Sequence, residues 1–399
     1  MVWGIVAAVL AFAGVVIANH LVEGLWQRTI VKVKVLWLSR RDAVALQRDD
    51  IRSKSATIAT TYERLGNIDA LFVPSSVPDA SPLPLLVSRP SLTPRVIDMA
   101  SDELLQIAAT NRVEFPVDRR LVKAILARGR RCTDDPVLYL DSVNSETILV
   151  GTTGYHATAT MAERVGRAVA AKRPTALVSE DLASFDAAIK SARLRPTMIG
   201  SDAACVFKDG DRQVVALHRR SAETVNAPGS FTVTPAYTYE TNRVSRVVSR
   251  FGVIGYNFLR EFLEEFWGDM GLVESSSRPR ANPDWVFESE PGSRLIAEVE
   301  AGRVKLSCVG IGFDVSHLSL VLALTATFDS ADFLRYVMMA PGSWEDAGAA
   351  GGVPAVQFVE LNGSELDELM RSDMKPTTVL ALDGARRLTA GSVADSVDS

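Results

Sequence analysis

The sequence predicts an α/β fold preceded by a single membrane-spanning segment, on three observations. The first 18 residues carry no charge. From residue 96 onward, helical patterns alternate with short apolar runs of strand length. Near the middle, "CVFKDGDRQVVALHRRS" places two apolar runs on either side of Asp209-Gly210, the sequence of a tight hairpin turn.

Composition agrees with a folded chain of two or three domains: 399 residues, 47% hydrophobic and 23% charged. A net charge of −5 and a pI near 5.6 exclude a globally basic, nucleic-acid-coating protein, and no direct DNA binding is expected. Local basic clusters are still allowed. Cys132, Cys205 and Cys308 lie far apart without CxxC spacing, which excludes a zinc ribbon or a disulfide framework and fits a reducing compartment. His20, His156, His218 and His317 are equally scattered, so none is assigned to a metal.

The segment "MVWGIVAAVLAFAGVVIANHLVEGLW" opens with its 18 uncharged residues, close to the roughly 20 that cross a hydrocarbon core. No basic residue precedes the apolar run and no small-x-small site follows it, so an uncleaved anchor over residues 1–26 is expected rather than a signal peptide. Trp3 and Trp26 bracket it as interface aromatics. Arg28, Lys32, Lys34, Arg40 and Arg41 follow, which keeps the rest of the chain on the cytoplasmic side. The expected location is the inner membrane, single-pass, with the C-terminal domain in the cytoplasm.

Residues 27–95 read as a helical stalk and linker. Trp37, Val44, Ile51, Ile58 and Leu65 recur every seven residues, but the second core positions hold Arg40, Gln47 and Lys54 or Arg41, Arg48 and Ser55, so only a weak self-associating stalk, and with it a homo-oligomer, is expected. Residues 72–95 contain six of the chain's 18 prolines, the composition of a semi-rigid linker. An α/β lead-in is expected over 96–204, the main domain over 205–388 and a polar tail over 389–399. Within the lead-in, "SDELLQIAAT" reads as a helix capped by Ser101, "VDRRLVKAILARGR" as a helix ending near Gly129, and "PVLYLDSV" and "TILVGTT" as strands. "GTTGYHATATMAERVGRAVAA" lacks the Lys-Ser/Thr of a phosphate-binding loop. Downstream, "SFTVTPAYTYE" reads as one strand and "RVKLSCVGIGFDVSHLSLVLALTATF" as two, broken by Gly310, Gly312 and Asp314.

The chemistry-bearing stretch is "YNFLREFLEEFWG", residues 256–268. At helical spacing Glu261, Glu264 and Glu265 share one side, while Phe258, Phe262 and Phe266 share another. The acidic side is either a cation site for Mg²⁺ or Mn²⁺ or a solvated face. Three adjacent carboxylates repel one another, so replacing Glu264 and Glu265 by Gln is expected to leave the metal-free protein as stable or slightly more so.

In the order hairpin, strand, acidic helix, strands and terminal helix, the chain resembles the Nudix domain, an α/β/α sandwich around a mixed sheet. The R-E-U-x-E-E core of that family's signature, where U is a bulky aliphatic, is matched by Arg260, Glu261, Phe262, Leu263, Glu264 and Glu265. Around that core, Gly252 stands where the signature has its first glutamate, Arg246 where it has its opening glycine, and Trp267 where it has its last glycine, with Gly268 one place late. The resemblance implies that Glu261, Glu264 and Glu265 hold divalent cations against a diphosphate and that Arg260 orients a glutamate by a salt bridge. With the N-terminal span and linker, the layout is similar to membrane-anchored Nudix-like domains associated with bacterial cyclic-oligonucleotide anti-phage systems. His218, Arg219 and Arg220, directly after an apolar strand, are candidate phosphate contacts because guanidinium groups match phosphate oxygens; a plain edge-strand polar cluster is the alternative.

Three functions stay open on this reading. One is a nucleotide-binding sensor or effector in anti-phage defence, passing its signal to the membrane segment. Another is a Mg²⁺-dependent hydrolase of nucleoside-diphosphate-linked substrates. The third is a tethered scaffold. Substitution of the first signature glutamate by Gly252 favours binding without efficient turnover.

Overall fold

The computed structural model describes residues 51–88, 94–127 except 102, 134–170 except 145–146, 182–220 except 193–194, 230–240, 250–275, 284–340 and 356–397 except 373. The expected anchor, the first half of the stalk and Arg246 lie outside them. Among the described residues, no helix is long and apolar enough to cross a membrane.

The chain forms a mixed α/β structure around one large mixed sheet. Its strands in chain order are β1 (Leu71–Phe72), β2 (Leu83–Val87), β3 (Arg95–Ile97), β4 (Leu105–Arg112), β5 (Pro136–Val143), β6 (Ile148–Gly154), β7 (Met198–Asp209), β8 (Arg212–Arg219), β9 (Phe231–Val233), β10 (Ala236–Thr238), β11 (Val304–Asp314), β12 (Ser319–Phe328) and β13 (Val356–Glu360). Its described helices are α1 (Ile51–Arg64), α2 (Arg119–Ala127), α3 (Tyr155–Ala170), α4 (Phe185–Ala192), α5 (Val253–Ser275), α6 (Glu290–Glu300), α7 (Ala331–Met338), α8 (Ser364–Ser372) and α9 (Pro376–Val397). The main path runs β1-β2-β11-β12-β7-β5-β6-β4. Pairs β12·β7 and β4·β6 are parallel, and the other named pairs are antiparallel.

Strand β7 is where the sheet forks. One of its edges pairs with β12 along its whole length up to Phe207, while the other meets β10 over Gly200–Asp202 and β8 over Val206–Asp209. Its alternating side chains serve two cores. Ala203, Cys205 and Phe207 join the larger core under α5, and Ala204 and Val206 join the smaller one under α9. Asp202, 1% exposed, accepts from Lys375 Nζ at 2.8 Å and from the hydroxyls of Thr377 at 2.7 Å and Thr378 at 2.8 Å, which holds the first turn of α9 against the sheet.

Several expectations are corrected. The proline-rich stretch is no linker: β2 pairs with β11, Asp383 on α9 accepts the Ser76 N–H at 2.7 Å, and Arg386 donates to the Ser76 carbonyl at 3.3 Å. Proline is tolerated because Pro84 contributes its carbonyl, to Val315 N–H, and no donor is required of it. The stalk is likewise docked where it is described. In α1, Ile58 is fully buried, Tyr62 donates to the Leu182 carbonyl at 2.6 Å, and the helix packs on α3 and β2. The expected boundary at 204/205 falls inside β7, so lead-in and main domain share one sheet. "SDELLQIAAT" is mostly strand, because pairing of Leu105, Gln106 and Ile107 with β6 overrides its helix-favouring composition. "SFTVTPAYTYE" divides at Thr234-Pro235 into β9 and β10, which pair with different partners. Gly310 and Gly312 do not end a strand: they lie within β11, whose pairing with β12 shifts register between Cys308 and Gly310, and a Cβ at Gly312 would come within 2.9 Å of Leu85 Cδ1. Finally, α9 continues to Val397 through most of the expected tail.

A fragment beginning at residue 96 therefore lacks α1, β1 and β2 and bares the edge of β11. Compared with a fragment beginning near residue 50, it should be poorly soluble, or unfold at least 10 °C lower for a loss of a few kcal/mol, which thermal scans of the two fragments would show.

Candidate functional site

Helix α5 places the acidic motif beside the fork. Phe258, Phe262 and Phe266 are fully buried, with Phe262 tilted against Phe266 at 4.5 Å and stacked on Phe328 at 5.4 Å between ring centroids. That apolar stripe drives the helix onto the sheet. Gly268, at φ 64° and ψ 166°, interrupts the helical path just after the motif.

The three glutamates are neither a cation cluster nor a solvated face. Glu265 is 6% exposed and turned inward, where its Oε1 accepts the Ala236 N–H at 3.0 Å and its Oε2 lies 3.6 Å from His218 Nδ1. Glu264 points the other way and takes two bonds from Arg260, at 3.0 and 3.3 Å. Glu261 lies 3.5 Å from Arg260. Burial, then Tyr239 and then the Glu261 carboxylate push the Tyr237 phenol well above its ordinary range, so Glu261 also acts on the sheet below. Among the described residues, no group of three or more His, Cys, Asp or Glu side chains is arranged to hold a metal ion. Glu261 and Glu264 lie beside the Arg260 guanidinium and Glu265 is bonded to the sheet, so the donors implied for Mg²⁺ or Mn²⁺ do not fit that group here.

Arg260 is the hub. It is 16% exposed, and beyond Glu264 it donates to Glu240 Oε2 at 2.5 Å. Burial disfavours its charge, yet Glu264, Glu261 and Glu240 together raise its pKa well above the usual value. Asn257, one turn earlier, closes the same junction: its Oδ1 accepts the Glu240 N–H at 3.0 Å, and its Nδ2 donates to the carbonyls of Glu240 and Val253. The motif thus clamps the end of β10 to α5.

His218, Arg219 and Arg220 do not converge on one surface. Strand alternation turns His218 inward, 1% exposed, with Nδ1 2.5 Å from Thr234 Oγ1. Arg219 lies over the Phe231 ring at 5.7 Å, on the side of the smaller core. The Arg220 backbone N–H donates to the Ser230 carbonyl. Burial, reinforced by Arg220 and Lys375, pushes His218 down to about 3, so the imidazole is neutral near pH 7. Glu240, Asn257 and Thr234 complete this junction, and nothing in the local sequence marks Glu240 or Thr234 for it. Asn257 stands out only as a lone amide inside the apolar "YNFL".

No protein-family model matches the chain, and no curated protein matches it in sequence.

Two outcomes follow from this geometry. Contrary to the repulsion argument, the Glu264→Gln/Glu265→Gln variant should be less stable than the parent without metal, by on the order of 1–2 kcal/mol, because Glu264 pairs Arg260; urea unfolding in EDTA measures it. In acid, the unfolded chain binds a proton at His218 below about pH 6.5 while the folded protein resists it down to about 3. The stability present above pH 6.5 is therefore lost progressively as the pH falls across that window. His218→Gln should flatten the pH dependence there by up to about 1.4 kcal/mol per pH unit, seen by denaturation at a series of pH values.

Proposed function

We propose that the chain is a membrane-anchored protein whose folded part is a Nudix-like α/β/α domain that binds a phosphorylated nucleotide, in the manner of a cyclic-oligonucleotide sensor or effector in anti-phage defence, without hydrolysing it. The observation that carries the choice of binding over turnover is the state of the acidic motif. Hydrolysis of a diphosphate requires groups that neutralise charge developing on the phosphoryl oxygens. Here Glu264 is bonded twice to Arg260 and Glu265 to the Ala236 N–H. An arginine-glutamate pair within the R-E-U-x-E-E match agrees with the Nudix reading, as do a mixed sheet and helices packed on both its faces. The anchor rests on the 18 uncharged residues at the start of the sequence.

The test uses full-length protein in lipid nanodiscs, scanned thermally with linear and cyclic nucleotides, in Mn²⁺ or in EDTA. A ligand at a hundredfold excess over its Kd stabilises the folded state by about 2.7 kcal/mol. The expected result is a raised Tm that persists in EDTA, with the nucleotide recovered intact. A shift that needs Mn²⁺, is accompanied by consumption of the nucleotide and disappears in Glu264→Gln would establish the hydrolase instead. Absence of any shift across the panel would reject both and leave a tethered scaffold.

A further inference from the structure

Residues 118–131 hold six Lys or Arg and one acid in a chain whose net charge is −5. Helix α2 presents the described part of this run. Leu121, Val122 and Ile125 are buried, whereas Arg119, Arg120, Lys123 and Leu126 are exposed and, at 100° per residue, fall on one arc of about 120°. Local physics argues against cations here. Arg119 and Lys123 are like charges one turn apart, and both arginines stand in the first turn, where the helix dipole is already positive. The neighbouring acid does not pair with them: Asp118 accepts the N–H groups of Arg120 at 3.0 Å and Leu121 at 3.3 Å, and its other oxygen lies 3.4 Å from Arg164. Among the described residues, none of the three cationic heads forms an ion pair. Three unfavourable placements on one arc are accounted for by an anionic partner outside the domain.

Two features choose between a nucleic acid and a lipid surface. Leu126 is 42% exposed among the cations, with Val117 at 37% and Val113 at 36% just ahead of the helix. Aliphatic side chains beside Lys and Arg suit the boundary between head groups and acyl chains, whereas single-stranded nucleic acids call for stacking aromatics. Position agrees. The chain enters the domain from residues 1–50 through α1, and α1 and α2 both pack on α3, which sets the arc one helix away from the point of entry. We infer that the exposed arc of α2 rests on anionic phospholipid, with Arg119, Arg120 and Lys123 on the head-group phosphates and Leu126 at the acyl boundary. This rests on the anchored reading above, and it orients the domain on the bilayer that the anchor enters.

The full chain carrying Leu126→Cys in a Cys132→Ser background, labelled with an environment-sensitive dye, is mixed with vesicles of phosphatidylcholine alone or with phosphatidylserine. The emission should shift to the blue only with phosphatidylserine and revert at about 0.5 M salt, where exposed charges are screened. It should fail to shift in Arg119→Gln/Arg120→Gln/Lys123→Gln, since removing three cations lowers attraction to the surface roughly a hundredfold. That variant should keep or raise its Tm, which separates loss of docking from loss of fold. Flotation with neutral vesicles at high salt reads the N-terminal anchor by itself. If that fails, flotation with phosphatidylserine vesicles still reads the arc. An equal shift with neutral vesicles, a shift retained in the triple variant, or no shift with either vesicle overturns the proposal, and a shift with duplex DNA or RNA in place of vesicles reassigns the face to nucleic acid.

Discussion

Everything in this domain is arranged around the burial of β7. Bonded along both edges and covered on both faces, it has no route to solvent over its middle, and a carboxylate placed there must be satisfied by protein. Asp202 is that carboxylate. An unpaired charge at such a site costs several kcal/mol, so the position of Lys375, Thr377 and Thr378 is set by the need to meet it. Where α9 begins then decides which residues it can reach farther along. Asp383 and Arg386 fall on the loop at residue 76, and the N-terminal strands are fastened as a result.

The same logic of neutralising charge at a packed junction governs α5. Its phenylalanines bring the helix close enough to the sheet that Arg260 and Glu265 cannot stay in water, and each finds partners within the fold. Arg260 joins Glu264 on its own helix to Glu240 beyond β10, while Glu265 reaches the first N–H of β10. Acidic residues that repel along an isolated helix thereby become attachment points, because Arg260 on the same helix supplies a guanidinium partner and the sheet a backbone donor. The neutral His218 behind Glu265 follows the same logic: a further cation in that space would be desolvated beside Arg220 and Lys375.

The contacts that close the fold join distant parts of the sequence. Residues 83–87 lie against the end of β11, and residues 75–76 are held from α9 near the far end of the described chain. The loop-closure entropy of these contacts is offset only when β11 and α9 are in place, so the N-terminal strands depend on a sheet that β7, β11 and β12 define. A chain that enters through α1 is thus tied to the most integrated part of the domain rather than suspended from it.

By itself the sequence determined the pieces whose signals are local. The hairpin at Asp209-Gly210, the strands at 136–143 and 148–154, the helix from Arg119 and the phenylalanine stripe of α5 follow from turn chemistry and side-chain period, which neighbouring residues are enough to specify. It also determined the charge pattern of residues 118–131 and the apolar run at the start. Only the tertiary structure decided that a proline-rich stretch would be sheet, that "SDELLQIAAT" would be strand, and that Glu265 would turn to the sheet while Glu261 and Glu264 stay beside Arg260. The physical reason is common to all three. Backbone pairing and burial are exchanges with distant residues, such as Ser76 with Asp383, where the two are 307 apart, and periodicity within a segment carries no record of which distant donor or acceptor will meet it.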